Sequence, residues 1–333
     1  MYFGNPVIPP VLMNKKILLP VILLFLIGAC FIPVTLQKST IIKSPFLNTY
    51  SLLAKPSKWE EWCPELRKAM KADSDKIIMR DNYSAFTIKY NRFNLEVKPK
   101  GNSFNINELI NGKSTNYSYV LAPVPDKFLN KTIVFIVEKT NAINYLKEKF
   151  VQPDFLDEHL NYLKNYLETD SLLYGFNIFK TGVPDSTLIV VRRKVLSANK
   201  FTEAAKMLAS LKDYVKTNNI RQTQPLIAQF LQIAKDSMQV NVGFFINREV
   251  KPVKGIEFDR MPKGGPFYAA RFRGRFYQRG KIYQAMRQYF NNHSLQAPLL
   301  PIETYLDNKL PVNDSDLIYM QLNFPTFPEG KGQ

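Results

Sequence analysis

Between Lys76 and Glu138 the chain is a succession of short runs in which apolar and polar residues alternate, each run closed by a turn signal. No other feature constrains the fold as much. The runs are Lys76–Arg80, Ser84–Tyr90, Phe93–Lys98, Ser103–Ile110, Thr115–Ala122 and Thr132–Glu138. Asp81-Asn82, Lys100-Gly101-Asn102, Asn111-Gly112 and the stretch from Pro123 to Asp126 separate them. Alternation sends successive side chains to opposite faces, so the segment predicts an antiparallel meander with one buried face. Asn111-Gly112 is the strongest hairpin signal, because both residues tolerate the positive φ of a tight two-residue turn.

Such a sheet needs a cover. The segment Pro153–Glu168 supplies one, with Leu156, Leu160, Leu163 and Leu167 on a single helical stripe. Ahead of the meander, Thr35–Ser44 reads as a strand and Pro45 opens a short helix, Phe46–Ala54. A second short helix carries Trp59 and Trp62, three apart on one face and expected to pack in a core.

The C-terminal half has a different rhythm. Gly175–Val183 and Thr187–Leu196 read as strands, Lys200–Lys216 as an amphipathic helix, and Leu226–Ala234 and Asn241–Ile246 as paired strands. The pattern then recurs: strands Phe258–Met261 and Phe267–Arg273, a helix Arg279–Asn291, and strands Pro301–Leu306 and Leu317–Phe324. Two successive strand-helix-strand-strand units suggest an internal duplication. The fold class is therefore α+β.

Both halves resemble known families. Ser44-Pro45 with the helix after it, and Lys58-Trp59-x-x-Trp62-x-Pro64, resemble the opening of the START-like SRPBCC (polyketide cyclase) superfamily over about residues 35–169. That resemblance implies a helix-grip domain, an antiparallel sheet gripping a long helix around an apolar cavity, and carries over no catalytic set. The second half resembles the GyrI-like (AraC-effector-binding) domain. Tyr268–Arg273 running into Gly274-Arg275-Phe276 is similar to its Gly-x-aromatic turn. Pro301-Ile302-Glu303-Thr304-Tyr305-Leu306 is similar to its Glu-x-Tyr strand, and Asp316–Pro325 to its closing strand. The family often has Gly-Pro-Tyr where this chain has Gly274-Arg275-Phe276, a change at the pocket rim. The resemblance implies a ligand cleft with Glu303 as its acid. The expected division is residues 1–36 as an N-terminal segment, 37–170 as the START-like domain and 173–328 as the GyrI-like domain.

Within that first segment, Ile17–Leu36 carries no charged residue and follows Lys15-Lys16. Roughly 20 apolar residues span a bilayer core of about 30 Å, so the segment is expected to be a retained single-pass transmembrane anchor, with lipoprotein processing at Cys30 as the competing reading. The lysines on both sides leave its orientation open.

The net charge of +17 is dispersed, and no helix-turn-helix or zinc-finger spacing accompanies it. Nucleic acid is not an expected partner. The two cysteines, Cys30 and Cys63, exclude a disulfide framework, and the two histidines, His159 and His293, lack ligand spacing. No metal and no cofactor are expected, since P-loop, dinucleotide and nucleophile-elbow motifs are absent.

Alternation puts Glu303 and Tyr305 on one strand face. A carboxylate there is either solvated or held in an apolar cleft, where it must pair with a cation or shift its pKa upward. Aromatic neighbours would add cation–π contacts. The expected ligand-binding residues are Glu303, Tyr305, Tyr268 and Phe276, with no catalytic residue assigned. The expected function is binding of a small hydrophobic or cationic molecule at the membrane. The alternatives are a small-substrate hydrolase using Glu303 and a structural, partner-binding envelope protein. A pocket acid is seldom a fold determinant, so Glu303→Gln is expected to cost little stability.

Overall fold

The structure is a computed structural model. It describes residues 31–67, 78–82, 84–90, 92–125, 130–151, 155–183, 187–261 and 266–327, together with Pro20 and Gly28. The chain divides into two compact units, Met1–Glu168 and Thr169–Gln333. Each is built on one antiparallel sheet, so the α+β class holds.

The first unit is the expected meander. Strands β2 (Ile78–Asn82), β3 (Ala85–Tyr90), β4 (Phe93–Lys100), β5 (Ser103–Ile110), β6 (Lys113–Pro123) and β7 (Thr132–Asn141) pair in sequence order. β1 (Pro33–Ile42) closes the sheet beside β7. Asn111 and Gly112 both have positive φ, 50° and 83°, and Ile110 faces Lys113 across the turn. This is the two-residue hairpin that the Asn-Gly pair demands.

Helix α1 (Phe46–Ala54) runs into α2 (Pro56–Trp62), whose Trp59 and Trp62 are both buried with ring centroids 4.8 Å apart. Trp59 donates its indole N–H to Leu53 O (2.9 Å), so its single polar atom is satisfied inside the core. Helix α3 (Ala142–Val151) directly follows β7 and was not foreseen. Its one local signal is Asn141, whose Oδ1 accepts the Asn144 N–H (2.9 Å). Helix α4 (Phe155–Glu168) buries Leu156, His159, Leu160, Leu163, Tyr166 and Leu167 and packs on β1 and β7. The start of the expected helix at Pro153 lies outside the described residues.

The expected anchor needs correction at its C-terminal end. Pro33–Leu36 belongs to β1, with Pro33 opposite Asn141 and Leu36 opposite Glu138. Alternating β-formers beside an open sheet edge satisfy their backbone by pairing, and a bilayer offers no such partner. Except for Pro20 and Gly28, the remainder of Ile17–Leu36 before Phe31 lies outside the described residues. Among the described residues no helix is long and apolar enough to cross a membrane.

The second unit shows the duplication in space. The first repeat is β9 (Thr187–Leu196), α5 (Lys200–Thr217), β10 (Leu226–Ala234) and β11 (Ser237–Phe245). The second is β13 (Pro266–Arg275), α6 (Gly280–Asn292), β14 (Ile302–Tyr305) and β15 (Leu317–Pro325). Within each repeat the strand that precedes the helix pairs with the last strand, which pairs with the middle one. The repeats join through their middle strands, where Leu226 faces Tyr305 and Ile227 faces Thr304. β12 (Glu257–Arg260) and β8 (Ile178–Gly182) extend the two outer edges, beside β9 and β13.

One sheet face is covered by α5 and α6. It buries Ile189, Val191, Phe230, Val240, Tyr305 and Leu322 against Met207, Leu211, Ile282 and Met286. Gly243 lies where β11 comes close to β9: a Cβ there would sit 2.7 Å from Ile189 O. Because that neighbour is backbone, Gly243→Ala is expected to destabilise the unit by about 1–3 kcal/mol, read as a lowered urea midpoint at unchanged slope. An unchanged midpoint would show that the two strands can part without cost.

Candidate functional site

β14 is four residues long and reads out its period in burial. Glu303 and Tyr305 are 1% and 0% exposed and lie on the helix-covered face, while Ile302 and Thr304 alternate to the other. The alternation expected from sequence thus places both residues together, and it places them inside the core.

The partners of Glu303 come from the start of α6. The 3₁₀ turn Phe276–Arg279 leads into that helix and is closed by Gln278, whose Oε1 accepts the Arg275 N–H (3.2 Å). Arg279 and Tyr283 follow four residues apart and share one face. The Tyr283 hydroxyl donates to Glu303 Oε1 (2.6 Å), and Arg279 Nε donates to the same oxygen (3.4 Å). The Tyr305 hydroxyl donates to Glu303 Oε2 (2.9 Å). Both carboxylate oxygens are therefore engaged.

An aromatic box surrounds the guanidinium. Arg279 lies 3.8 Å from the Phe276 ring centroid and 6.0 Å from that of Phe230, and its Nη2 donates to Phe230 O (3.2 Å). Phe201, from the first turn of α5, completes the box at 5.1 Å from Phe276 and 5.7 Å from Phe230. Lys200 stands over Phe201 (4.6 Å) and pairs with Asp314 (2.8 Å). The Arg279 side chain keeps 18% exposure while Glu303 keeps 1%, so the guanidinium sits between the buried acid and solvent.

Burial pushes the Glu303 carboxyl above its ordinary range, against the opposing pull of Arg279 and the two phenols. Burial also raises both tyrosines, and the Glu303 charge adds to it. Each phenol therefore stays protonated and acts as a donor to the acid.

Of the four residues expected from sequence, Glu303, Tyr305 and Phe276 converge on Arg279. Tyr268 does not join them. It faces Phe324 on β15 and packs against Tyr289 and Phe290, at the far half of α6. Arg279 and Tyr283 were missed. Their signal was an Arg and a Tyr four apart at a helix start that faces the acidic strand, and it acquires meaning only once helix and strand are docked.

The sheet face opposite α5 and α6 holds a cavity of about 440 Å³. Leu188, Val190, Ile227, Ile302, Gln229 and Asn241 are among its lining residues. None of Glu303, Tyr305, Tyr268 or Phe276 lines it.

No family model matches the chain, and no curated protein does. Solved structures similar to it include the EcmrR C-terminal domain, at 17% identity and a TM-score of 0.37, covering 45% of this chain and 97% of that one. A hydrolase from Listeria innocua matches at 12% identity and a TM-score of 0.32, covering 45% and 91%. The Aha1 dimer from Colwellia psychrerythraea matches at 17% identity and a TM-score of 0.28, covering 40% and 96%.

The geometry revises the stability expectation for Glu303. Glu303→Gln removes the charge that faces Arg279 and one of the acceptors, so a loss of about 1–3 kcal/mol is expected in place of a small one. Tyr305→Phe strips Oε2 of its donor in a buried setting and is expected to cost a similar amount. Tyr283→Phe, at a position less completely buried than Tyr305, is expected to cost less. Urea unfolding of the three variants gives the order directly, and a Tyr283→Phe loss exceeding that of Tyr305→Phe would contradict it.

Proposed function

We propose that the second unit is a small-molecule-binding module whose recognition element is Glu303. Its ligand is an aromatic or lipophilic cation that takes the place of Arg279. One observation carries this reading. A fully buried carboxylate, tied down by two phenols, has as its cationic partner a partly exposed guanidinium stacked on an aromatic ring. The molecule already displays the contact set that an aryl cation would use, namely ion pairing, stacking and an apolar surround.

The resemblance of Gly274-Arg275-Phe276 and of the Glu303-x-Tyr305 strand to the GyrI-like domain fits this reading, and so does the paired-repeat topology. We read the first unit, on the same grounds of element order, as a START-like helix-grip domain. The hydrolase alternative is less well served. Each Glu303 oxygen accepts from a phenol that stays in place when Arg279 is displaced, Tyr283 on Oε1 and Tyr305 on Oε2, which holds the acid as a fixed charge more than as a proton carrier. For membrane attachment we retain the apolar run from Ile17, whose described end exposes Phe31 (80%) and Ile32 (53%). Retention of the full chain in carbonate-washed membranes, and its loss on deletion of residues 1–32, is the outcome expected for an anchor.

Thermal-shift and calorimetric titration with benzyltrimethylammonium and larger aryl cations tests the binding site. Wild-type protein is expected to show saturable stabilisation. Glu303→Gln is expected to lose it while remaining folded by circular dichroism. Arg279→Ala, which vacates the site, is expected to tighten binding about tenfold, or about 1.4 kcal/mol. Weaker binding by Arg279→Ala would mean that Arg279 is part of the receptor and not a stand-in for the ligand. No binding by wild type or by Arg279→Ala would sink the proposal.

A further inference from the structure

The first unit contains a second buried ionisable cluster, remote in sequence and unrelated to Glu303. Cys63 caps the C-terminal end of α2, Glu65 follows two residues on, and Glu108 comes from β5. A sulfur and one oxygen from each carboxylate all lie within 4.8 Å of one another. Cys63 is 0% exposed and Glu108 is 1% exposed. The Cys63 Sγ to Glu65 Oε2 separation is 3.6 Å. Two donors at about 2.0–2.3 Å from a common tetrahedral zinc ion stand at a comparable distance.

Three features set this cluster apart from ordinary core residues. One Glu108 oxygen accepts from the Tyr117 hydroxyl (3.2 Å), while the other is buried with no hydrogen-bond partner among the described residues. A buried acceptor left in this state costs about 1–3 kcal/mol, so a fold seldom keeps one without a use. Next, His159 from α4 adjoins the cluster, with Nε2 3.5 Å from Glu65 Oε2. Its Nδ1 lies 3.2 Å from the Tyr119 hydroxyl, the kind of outer contact that holds a metal-ligating imidazole in one orientation. Finally, the Glu65 side chain keeps 18% exposure, which gives an ion a way in.

We propose that Cys63, Glu65 and Glu108 form a binding site for a borderline divalent cation of the zinc class, with His159 Nε2 positioned to supply a nitrogen donor. The thiolate selects against magnesium and calcium, which prefer all-oxygen shells. The metal also resolves the electrostatics. Without a cation, burial and the Glu65 charge push Glu108 up to about 8, and burial with both carboxylates pushes the Cys63 thiol well above its ordinary range. A bound dication stabilises the deprotonated forms of all three ligands, and the displaced protons pass to solvent. Local ligand spacing gave no hint of this site, because Cys63 and Glu65 follow α2 while Glu108 comes from β5 and His159 from α4.

Cobalt substitution of the full-length chain is the test. The protein is stripped with chelator and titrated with Co²⁺, and the near-ultraviolet thiolate-to-cobalt charge-transfer band is followed together with metal content by mass spectrometry. One cobalt per chain with that band is expected, with displacement by equimolar Zn²⁺. Cys63→Ser should abolish the band and Cys30→Ser should keep it. Glu65→Gln, at the partly exposed position, should weaken Co²⁺ affinity at least tenfold, and serves if Cys63→Ser fails to fold. Absence of the band in wild-type protein, its survival in Cys63→Ser, or unchanged affinity in Glu65→Gln would each overturn the proposal.

Discussion

The short strand β14 carries a constraint on which the second unit depends. It holds four residues, pairs with β10 on one side and with β15 on the other, and so joins the two repeats into one sheet. Its register decides more than pairing. A slip by one residue would turn Ile302 and Thr304 toward the helices and send Glu303 and Tyr305 to the open face. The carboxylate would lose Tyr283 and Arg279, and the core would lose the buried Tyr305 ring. A buried acid with three donors is a strong register lock, because any other alignment leaves Arg279, Tyr283 and Tyr305 without their acceptor.

The two faces of that sheet have separate chemistry for the same reason. Helices α5 and α6 seal one face, so its polar groups must be satisfied internally, and the Glu303 network does this with a guanidinium and two phenols. On the other face the strands line a cavity instead. That face mixes apolar side chains with the hydrogen-bonded amides of Gln229, Gln239 and Asn241, and it holds the cavity of about 440 Å³. A single period-two strand feeds both, with Ile302 in the cavity wall and Glu303 beneath the helices.

How much of this was legible beforehand varies with the range of the interaction. The hairpin at Asn111-Gly112, the helix Phe46–Ala54, and strands Thr187–Leu196 and Leu226–Ala234 were readable because turn chemistry and periodicity are local. The helix after β7 was missed because it follows the strand with no intervening loop and its start signal, Asn141, is itself the last strand residue. The apolar end of the expected anchor misled for a related reason: Pro33–Leu36 is hydrophobic enough for a membrane, but the free edge of β7 claims it. At the site, Glu303 and Tyr305 could be paired from alternation alone. Arg279 could not be assigned to them, and Tyr268 could not be separated from them, without the docking of α6.

The sequence by itself determined the α+β class, the meander, the repeated strand-helix-strand-strand order and the shared face of Glu303 and Tyr305, since periodicity and turn preference act over a few residues. Only the tertiary structure decided what that face meets. It put Arg279 between Glu303 and solvent, set the open cavity on the opposite side of β14, and brought Glu108 from β5 to Cys63 and Glu65. Charge pairing and donor clustering depend on distance in space, and a chain that brings residues 63 and 108 together shows nothing of it in their spacing.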